Sequence, residues 1–193
     1  SFFSEKLIGN FSVGYDHYDY LNDDTTHPLE AARLSFAINQ YFAKANFSLD
    51  LEKHKLKFGA STLLYNIRSG KYEPLGKESV VAFDELQKDK ALESAFYLDD
   101  EWEVTPKFSL NAGIRYSLYN ALGPRSYYAY QPGTLPSENT VVDTVQVSGN
   151  KIFKTYHGPE FRLSVRYSFN DDLSVKAGFN TMRQYIHKVS NTT

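Results

Sequence analysis

Cysteine is absent from the 193 residues, which excludes a disulfide framework, a thiolate metal site and a cysteine nucleophile. An excess of one charge is absent too: 21 Lys and Arg face 23 Asp and Glu, for a net −2. Nothing in that balance points to nucleic acid as a partner. No apolar run approaches the roughly 20 residues that a membrane helix needs; Val80-Val81-Ala82-Phe83 is among the longest. The opening Ser-Phe-Phe-Ser-Glu-Lys has no basic start, apolar stretch or small-residue cleavage site, so a removed signal or an internal segment is expected. The five histidines, His17, His27, His54, His157 and His187, show no metal-ligand spacing, and no HExxH is present. They read as loop or strand-end residues. No motif marks a nucleophilic serine. Gly-Pro at 123–124 and 158–159 signals turns without phosphate-binding spacing. Asn10-Phe-Ser and Asn46-Phe-Ser fit the glycosylation pattern but fall inside expected strands. No cofactor and no enzyme chemistry are expected.

What is present is aromatic and periodic. Tyr and Phe number 15 and 14 against a single Trp, while the mean hydropathy is polar at −0.47. The dominant period is two. Phe108, Leu110, Ala112, Ile114, Tyr116 and Leu118 alternate with Ser109, Asn111, Gly113, Arg115, Ser117 and Tyr119. The same alternation runs through Leu7–Tyr15, Leu56–Leu64, Phe161–Phe169 and Leu173–Phe179. In 93–104 Asp100 is the odd member of an otherwise apolar face. In 34–51 the parity shifts, with Phe36 and Ile38 on one face and Ala43 to Leu51 on the other, and a β-bulge near Asn39 to Phe42 is expected to reconcile them. About seven strands follow, over 6–18, 34–51, 54–70, 92–104, 107–121, 159–170 and 173–187. These exceed the usual soluble strand of about five or six residues and suit the ~9–11 that a tilted membrane strand needs.

The links alternate in length. Tight turns at 52–54, 105–107 and 170–172 are built from turn formers, and long links lie near 19–33, 71–91 and 122–158. Sorting short and long links to opposite ends is a property of up-and-down membrane barrels. The fold class expected is therefore all-β: an antiparallel up-and-down transmembrane β-barrel segment. Two alternatives stand beside it. One is a small complete barrel of about eight strands acting as adhesin, anchor or barrel enzyme. The other is a soluble lipocalin-like binding module with a private apolar core.

Two stretches carry a resemblance. Residues 92–124 hold an acidic-Trp pair, a tight turn and Leu-Asn-Ala-Gly-Ile-Arg-Tyr. Residues 159–192 run from Pro-Glu-Phe-Arg-Leu-Ser-Val-Arg-Tyr to Met-Arg-Gln-Tyr-Ile-His-Lys-Val-Ser-Asn-Thr. Both resemble the barrel of TonB-dependent outer-membrane receptors. The second ending resembles a subgroup with a carboxypeptidase-regulatory-like N-terminal domain. The resemblance implies a barrel of about 22 strands around a plug, TonB-driven uptake of scarce nutrients through the outer membrane of a Gram-negative bacterium, and outer-membrane lipid, plug and TonB as partners. A surface lipoprotein is a further partner of this class. The plug and TonB box are absent here, and Val-Ser-Asn-Thr-Thr ends the sequence without a terminal aromatic strand, so residues 1–193 are expected to be a partial barrel domain.

Candidate site residues follow from parity. Arg115, Arg162, Arg166, Lys176 and Asn180 are expected on the lumen face, since a Lys or Arg on the lipid face at mid-membrane costs ~2–4 kcal/mol. The basic wall has two readings, salt-bridging a plug or lining an anionic substrate path. Asp99 and Glu101 are expected to pair with lumen cations such as Arg115. Trp102, Tyr116, Tyr167 and Tyr185 fall toward strand ends on apolar parity, where an aromatic girdle sits. Arg183, on the same parity, is expected to snorkel. Tyr127, Tyr128 and Tyr130 lie in a long link, suited to stacking on sugars, meeting a partner, or packing on themselves. Asp23, Asp24 and His27 read as a solvated loop or a cation site.

Overall fold

The computed structural model describes residues 6–186. Its strands are β1 (Leu7–Asp24), β2 (Ala32–Asp50), β3 (His54–Pro74), the short β4 (Asp84–Glu85), β5 (Asp89–Thr105), β6 (Phe108–Leu122), β7 (Arg125–Tyr130), β8 (Val141–Val147), β9 (Ile152–Ser168) and β10 (Ser174–Asn180). The main sheet runs β1-β2-β3-β5-β6-β9-β10, with β4 paired to β3, and every neighbouring pair is antiparallel. β7 and β8 form a separate hairpin in the β6–β9 link. Chain order equals spatial order, which is an up-and-down half-barrel of seven long strands.

The strands overrun their expected bounds at the long-link end. β1, β2 and β3 reach 18, 19 and 21 residues, and β9 begins at Ile152, where a loop was expected. The expected bulge near Asn39 to Phe42 does not occur. β2 pairs with β1 without interruption, and the register shift falls between β2 and β3 at Ser35/Ala37. Phe36 and Ile38 are therefore true members of the opposite face. There Tyr20 stacks on Phe36 at 4.8 Å, Tyr18 lies tilted against it at 6.0 Å, and Tyr18 stands directly opposite Ile38. β10 stops at Asn180, short of the expected 187; His187 and the Val-Ser-Asn-Thr-Thr ending lie outside the described residues.

Directly opposed residues share a face, so the registers sort the whole sheet. One face carries Phe11, Ala45, Ala60, Phe96, Tyr116 and Pro159 in a single row, and Leu7, Leu49, Leu56, Asp100, Ala112 and Leu163 in another. Its large apolar side chains are exposed: Phe11 and Phe96 to 60%, Val13 to 82% and Phe179 to 63%. The other face buries small and polar groups instead, with Ala95 at 2%, Ser117 at 1% and Glu160 at 7%. That inversion fits a hydrocarbon solvent outside and rules out the private apolar core of a lipocalin-like module. On β1 the apolar run extends from Leu7 to Tyr15. A polar row, His17, Asn39, Asn66 and Lys90, ends it. Tyr15 donates to Asn39 Oδ1 at 2.6 Å, and His17 Nδ1 lies 2.8 Å from the same oxygen. The strands continue past this border toward the long links.

Glycines on the polar face admit their neighbours. Tyr97 lies across Gly59 and donates to Asn46 Oδ1 at 2.9 Å, bridging from β5 to β2. The Asp99 carboxylate fills the space over Gly113, where a Cβ would come within 1.9 Å of its oxygen. Beyond the apolar band, Arg33 clamps Asp23 with two hydrogen bonds of 2.7 Å. Asp23 is thereby held below the ordinary carboxylate range, chiefly by the Arg33 hydrogen bond, and Asp24 likewise, chiefly by the Thr26 backbone amide.

Two outcomes are expected. Gly113→Val forces Asp99 aside and lowers unfolding stability in lipid vesicles by about 1–3 kcal/mol; an unchanged urea midpoint would mean that Asp99 swings clear freely. The depressed carboxyls support the β1–β2 tip at neutral pH and lose that contribution only as pH falls below the usual aspartate value of 3.8. Hydrogen-exchange protection at the Glu30 amide, which bonds His27 O, is thus constant from neutral pH to about pH 5 and falls in acid. Loss of protection already near pH 6 would contradict the Asp23 and Asp24 contacts.

Candidate functional site on the polar face

The polar face divides along the strands. Toward the short turns it is ionic. Lys57 of β3 donates to Glu101 of β5 at 2.5 Å. Arg115 of β6 sits between Glu93 of β5, at 3.7 Å, and Glu160 of β9, at 4.0 Å. Glu160 also accepts from the buried Ser117 hydroxyl at 2.7 Å. The expected pairing of Arg115 with Asp99 or Glu101 is replaced by these two carboxylates. The register explains the change. Glu160 stands directly opposite Arg115, and Glu93 reaches it from the neighbouring strand. Neither Glu93 nor Glu160 stands out in the sequence, and pairing across the β6–β9 link is not legible there.

Arg162, Arg166 and Lys176 all lie on this face, as does Asn180. Arg166 stands directly opposite Lys176, and Arg162 opposite Asn180. Like charges in direct opposition destabilise a sheet unless a counter-charge lies between them. Among the described residues no carboxylate approaches Arg162, Arg166 or Lys176 within ion-pair distance. Beside Arg166 and Lys176 a recess of about 390 Å³ opens, bordered by Glu101, Glu103, Ser109 and Asn111. The basic wall is therefore split: Arg115 is engaged, and the β9–β10 cations are open.

Toward the long links the face turns aromatic. Arg125 of β7 forms an ion pair with Asp89 of β5. Gln87 clamps β7 from the β3–β5 link, accepting from Ser126 N at 2.9 Å and donating to Ser126 O at 3.1 Å. Tyr127 packs by Phe153 at 6.2 Å, while Tyr128 and Tyr130 meet edge-on at 6.5 Å and remain exposed. Asp23, engaged by Arg33, is no open cation ligand. No group of three or more His, Asp or Glu suited to a metal ion occurs among the described residues.

On the apolar face, Trp102 stacks on His54 at 5.4 Å, and His54 Nδ1 lies 2.8 Å from Asp100 Oδ2. The odd acid of that face thus has a partner. The Tyr116 hydroxyl lies 2.5 Å from His157 Nδ1, and Tyr167 meets Phe169 edge-on at 4.9 Å. Tyr185 and Arg183 are corrections. Because β10 ends at Asn180, strand parity no longer governs them. The segment turns over the polar face, where the Tyr185 hydroxyl lies 2.8 Å from Ser117 Oγ and its ring stacks on Tyr119 at 5.4 Å. The Arg183 guanidinium lies over Gly158, against Pro159 O at 3.3 Å.

An open sheet with an exposed apolar face and a charged polar face defines a membrane-barrel segment. Residues 2–183 match the family described as TonB dependent receptor-like, beta-barrel, and the chain belongs to it. The fold is similar to that of the copper transporter OprC, with a TM-score of 0.67 at 13% identity over 92% of this chain and 28% of OprC. It is also similar to the ferric-catecholate import receptor Fiu from E. coli K12 in an open form, with a TM-score of 0.55 at 12% identity over 95% of this chain and 34% of Fiu. The chain spans about a third or less of either structure. No curated protein matches the sequence. The family is one of outer-membrane receptors and transporters.

Arg115→Glu places a third carboxylate against Glu93 and the buried Glu160. It is expected to lower stability by roughly 1–3 kcal/mol, seen as a lower temperature of heat modification on gels. Arg115→Glu with Glu160→Gln should recover part of the loss. Equal losses in both variants would show that the pair does not couple.

Proposed function

We propose that this segment forms part of the wall of a TonB-dependent transporter that takes up a scarce nutrient through the outer membrane of a Gram-negative bacterium. The observation that carries the reading is the inversion of faces: exposed Phe, Leu and Val outside, ion pairs and buried hydroxyls inside. Family membership and the fold of two import proteins support it. The short turns then face the periplasm and the long links the cell exterior. Trp102 and Tyr167 serve as girdle residues at the periplasmic border, and Tyr116 at the outer one.

The open cations fit a plug inside the barrel. A plug carboxylate against Arg162, Arg166 and Lys176 would relieve the like-charge opposition on β9 and β10. TonB would act through that plug. Tyr128 and Tyr130, exposed on the β7–β8 hairpin, suit an external partner such as a surface lipoprotein. Nothing in the charge pattern favours nucleic acid.

Uptake by cells that express the intact protein is expected to cease when TonB is removed. Arg166→Glu with Lys176→Glu should lower it at least tenfold while the barrel stays heat-modifiable. Uptake that survives loss of TonB would overturn the transporter reading.

A further inference from the structure

At the long-link end of the polar face the ion pairs give way to a cavity of about 300 Å³. Phe36 and Ile38 of β2, Ile67 of β3, Leu122 of β6 and Phe153 of β9 wall it, with the Tyr119 ring beside them. Ile38 and Ile67 are direct cross-strand partners, so this part of the wall is fixed by the register, while Tyr185 and Ile186, beyond β10, complete the lining.

Three properties narrow its occupant. The volume lies at the lower end of small-molecule sites, about 300–1,000 Å³. The inward strand positions of its wall are aliphatic and aromatic, which favours a flat apolar group bound by stacking and by release from water. Four charges border it, Arg68, Asp89, Lys90 and Arg125. Arg125 is paired with Asp89, which also accepts from the Ser69 hydroxyl at 2.9 Å. Lys90 donates to Asn150 at 3.2 Å, and Arg68, opposite Ala37, has the parity of the apolar face. A sugar would set hydroxyls against Ile38, Ile67 and Phe153, and each one left unsatisfied costs about 1–3 kcal/mol.

We propose that this cavity is a substrate-contact site and that it takes an uncharged small molecule, or the arm of a larger one, bearing an aromatic ring. The proposal rests on the transporter reading and adds the substrate class. The basic β9–β10 strip lies at the opposite end of the same face, so a neutral ring is held at the outer cavity without being drawn into the ionic zone.

The test uses the intact receptor in lipid nanodiscs, with empty nanodiscs as the blank. Titration calorimetry compares 2-naphthol, uncharged at neutral pH, with citrate and maltose. The expected result is that 2-naphthol binds more tightly than either and that Ile38→Asp weakens it at least tenfold. Val13→Ala, on the apolar face and away from the cavity, should change it less than threefold. Ile67→Ser is the second cavity variant should Ile38→Asp fail to insert, and it carries the same tenfold criterion. No binding of 2-naphthol, tighter binding of citrate or maltose, a smaller effect of the cavity variant, or a larger one of Val13→Ala overturns the proposal. TonB-dependent uptake, measured on the same variants, separates the two readings: if it persists while 2-naphthol fails to bind, only the substrate class falls.

Discussion

A strand that faces hydrocarbon has no water to satisfy its backbone, so each amide must find its partner in a neighbouring strand. That requirement explains why the long strands pair without gaps through the apolar band and why the shifts in the main sheet lie outside it, at Ser35/Ala37, Glu103/Thr105 and Ala121/Leu122. It also fixes where polar side chains go. With the backbone paired and one face given to Phe, Leu and Val, the opposite face takes the charges. Glycine and serine on that face then let larger neighbours lie flat. Tyr97 crosses Gly59, Asp99 covers Gly113, and Glu160 accepts from Ser117. These contacts stiffen the wall without apolar packing.

The polar face is graded along the strands. Near the short turns its charges are local ion pairs or open cations, which suits a surface that meets a second polar body. Near the long links the same face carries Phe36, Ile38 and Ile67. A uniform lumen would show one character throughout. The change occurs above the border at which the outer face turns from Tyr15 and Tyr41 to His17 and Asn39. At that level the strands have left the bilayer, and both faces are free to differ from the pattern below.

Much of this was legible in the sequence, because period-two alternation survives wherever one face meets lipid. The strands from Leu7 to Tyr15 and from Phe108 to Leu118 read directly. The reading failed where lipid ceases to impose alternation. Phe36 and Ile38 read as a parity break because their side chains are apolar, whereas they sit on the inner face outside the band. Tyr185 failed for a related reason: parity assigns a side only while a strand continues, and β10 stops at Asn180. Asp100 was visible as an exception, but its partner His54 lies on another strand. The partners of Arg115 likewise depend on a register across the long β6–β9 link, and composition holds no record of that.

The β7–β8 hairpin adds a final step. An insertion of this length between paired strands would swing freely if only its ends were held. Here Gln87 imitates one rung of a β-ladder against Ser126, Arg125 reaches Asp89 on β5, and Lys90 donates to Asn150 at 3.2 Å. Each tether joins the β3–β5 side of the wall to the β6–β9 insertion; Asp89, Lys90 and Arg125 also border the aromatic cavity, and Gln87 and Ser126 border a second recess. The lip above the barrel is thus continuous with its wall. The cavity shape set by Ile38 and Ile67 carries up into the hairpin, and a ligand at the cavity would feel a rigid rim in place of a loose loop.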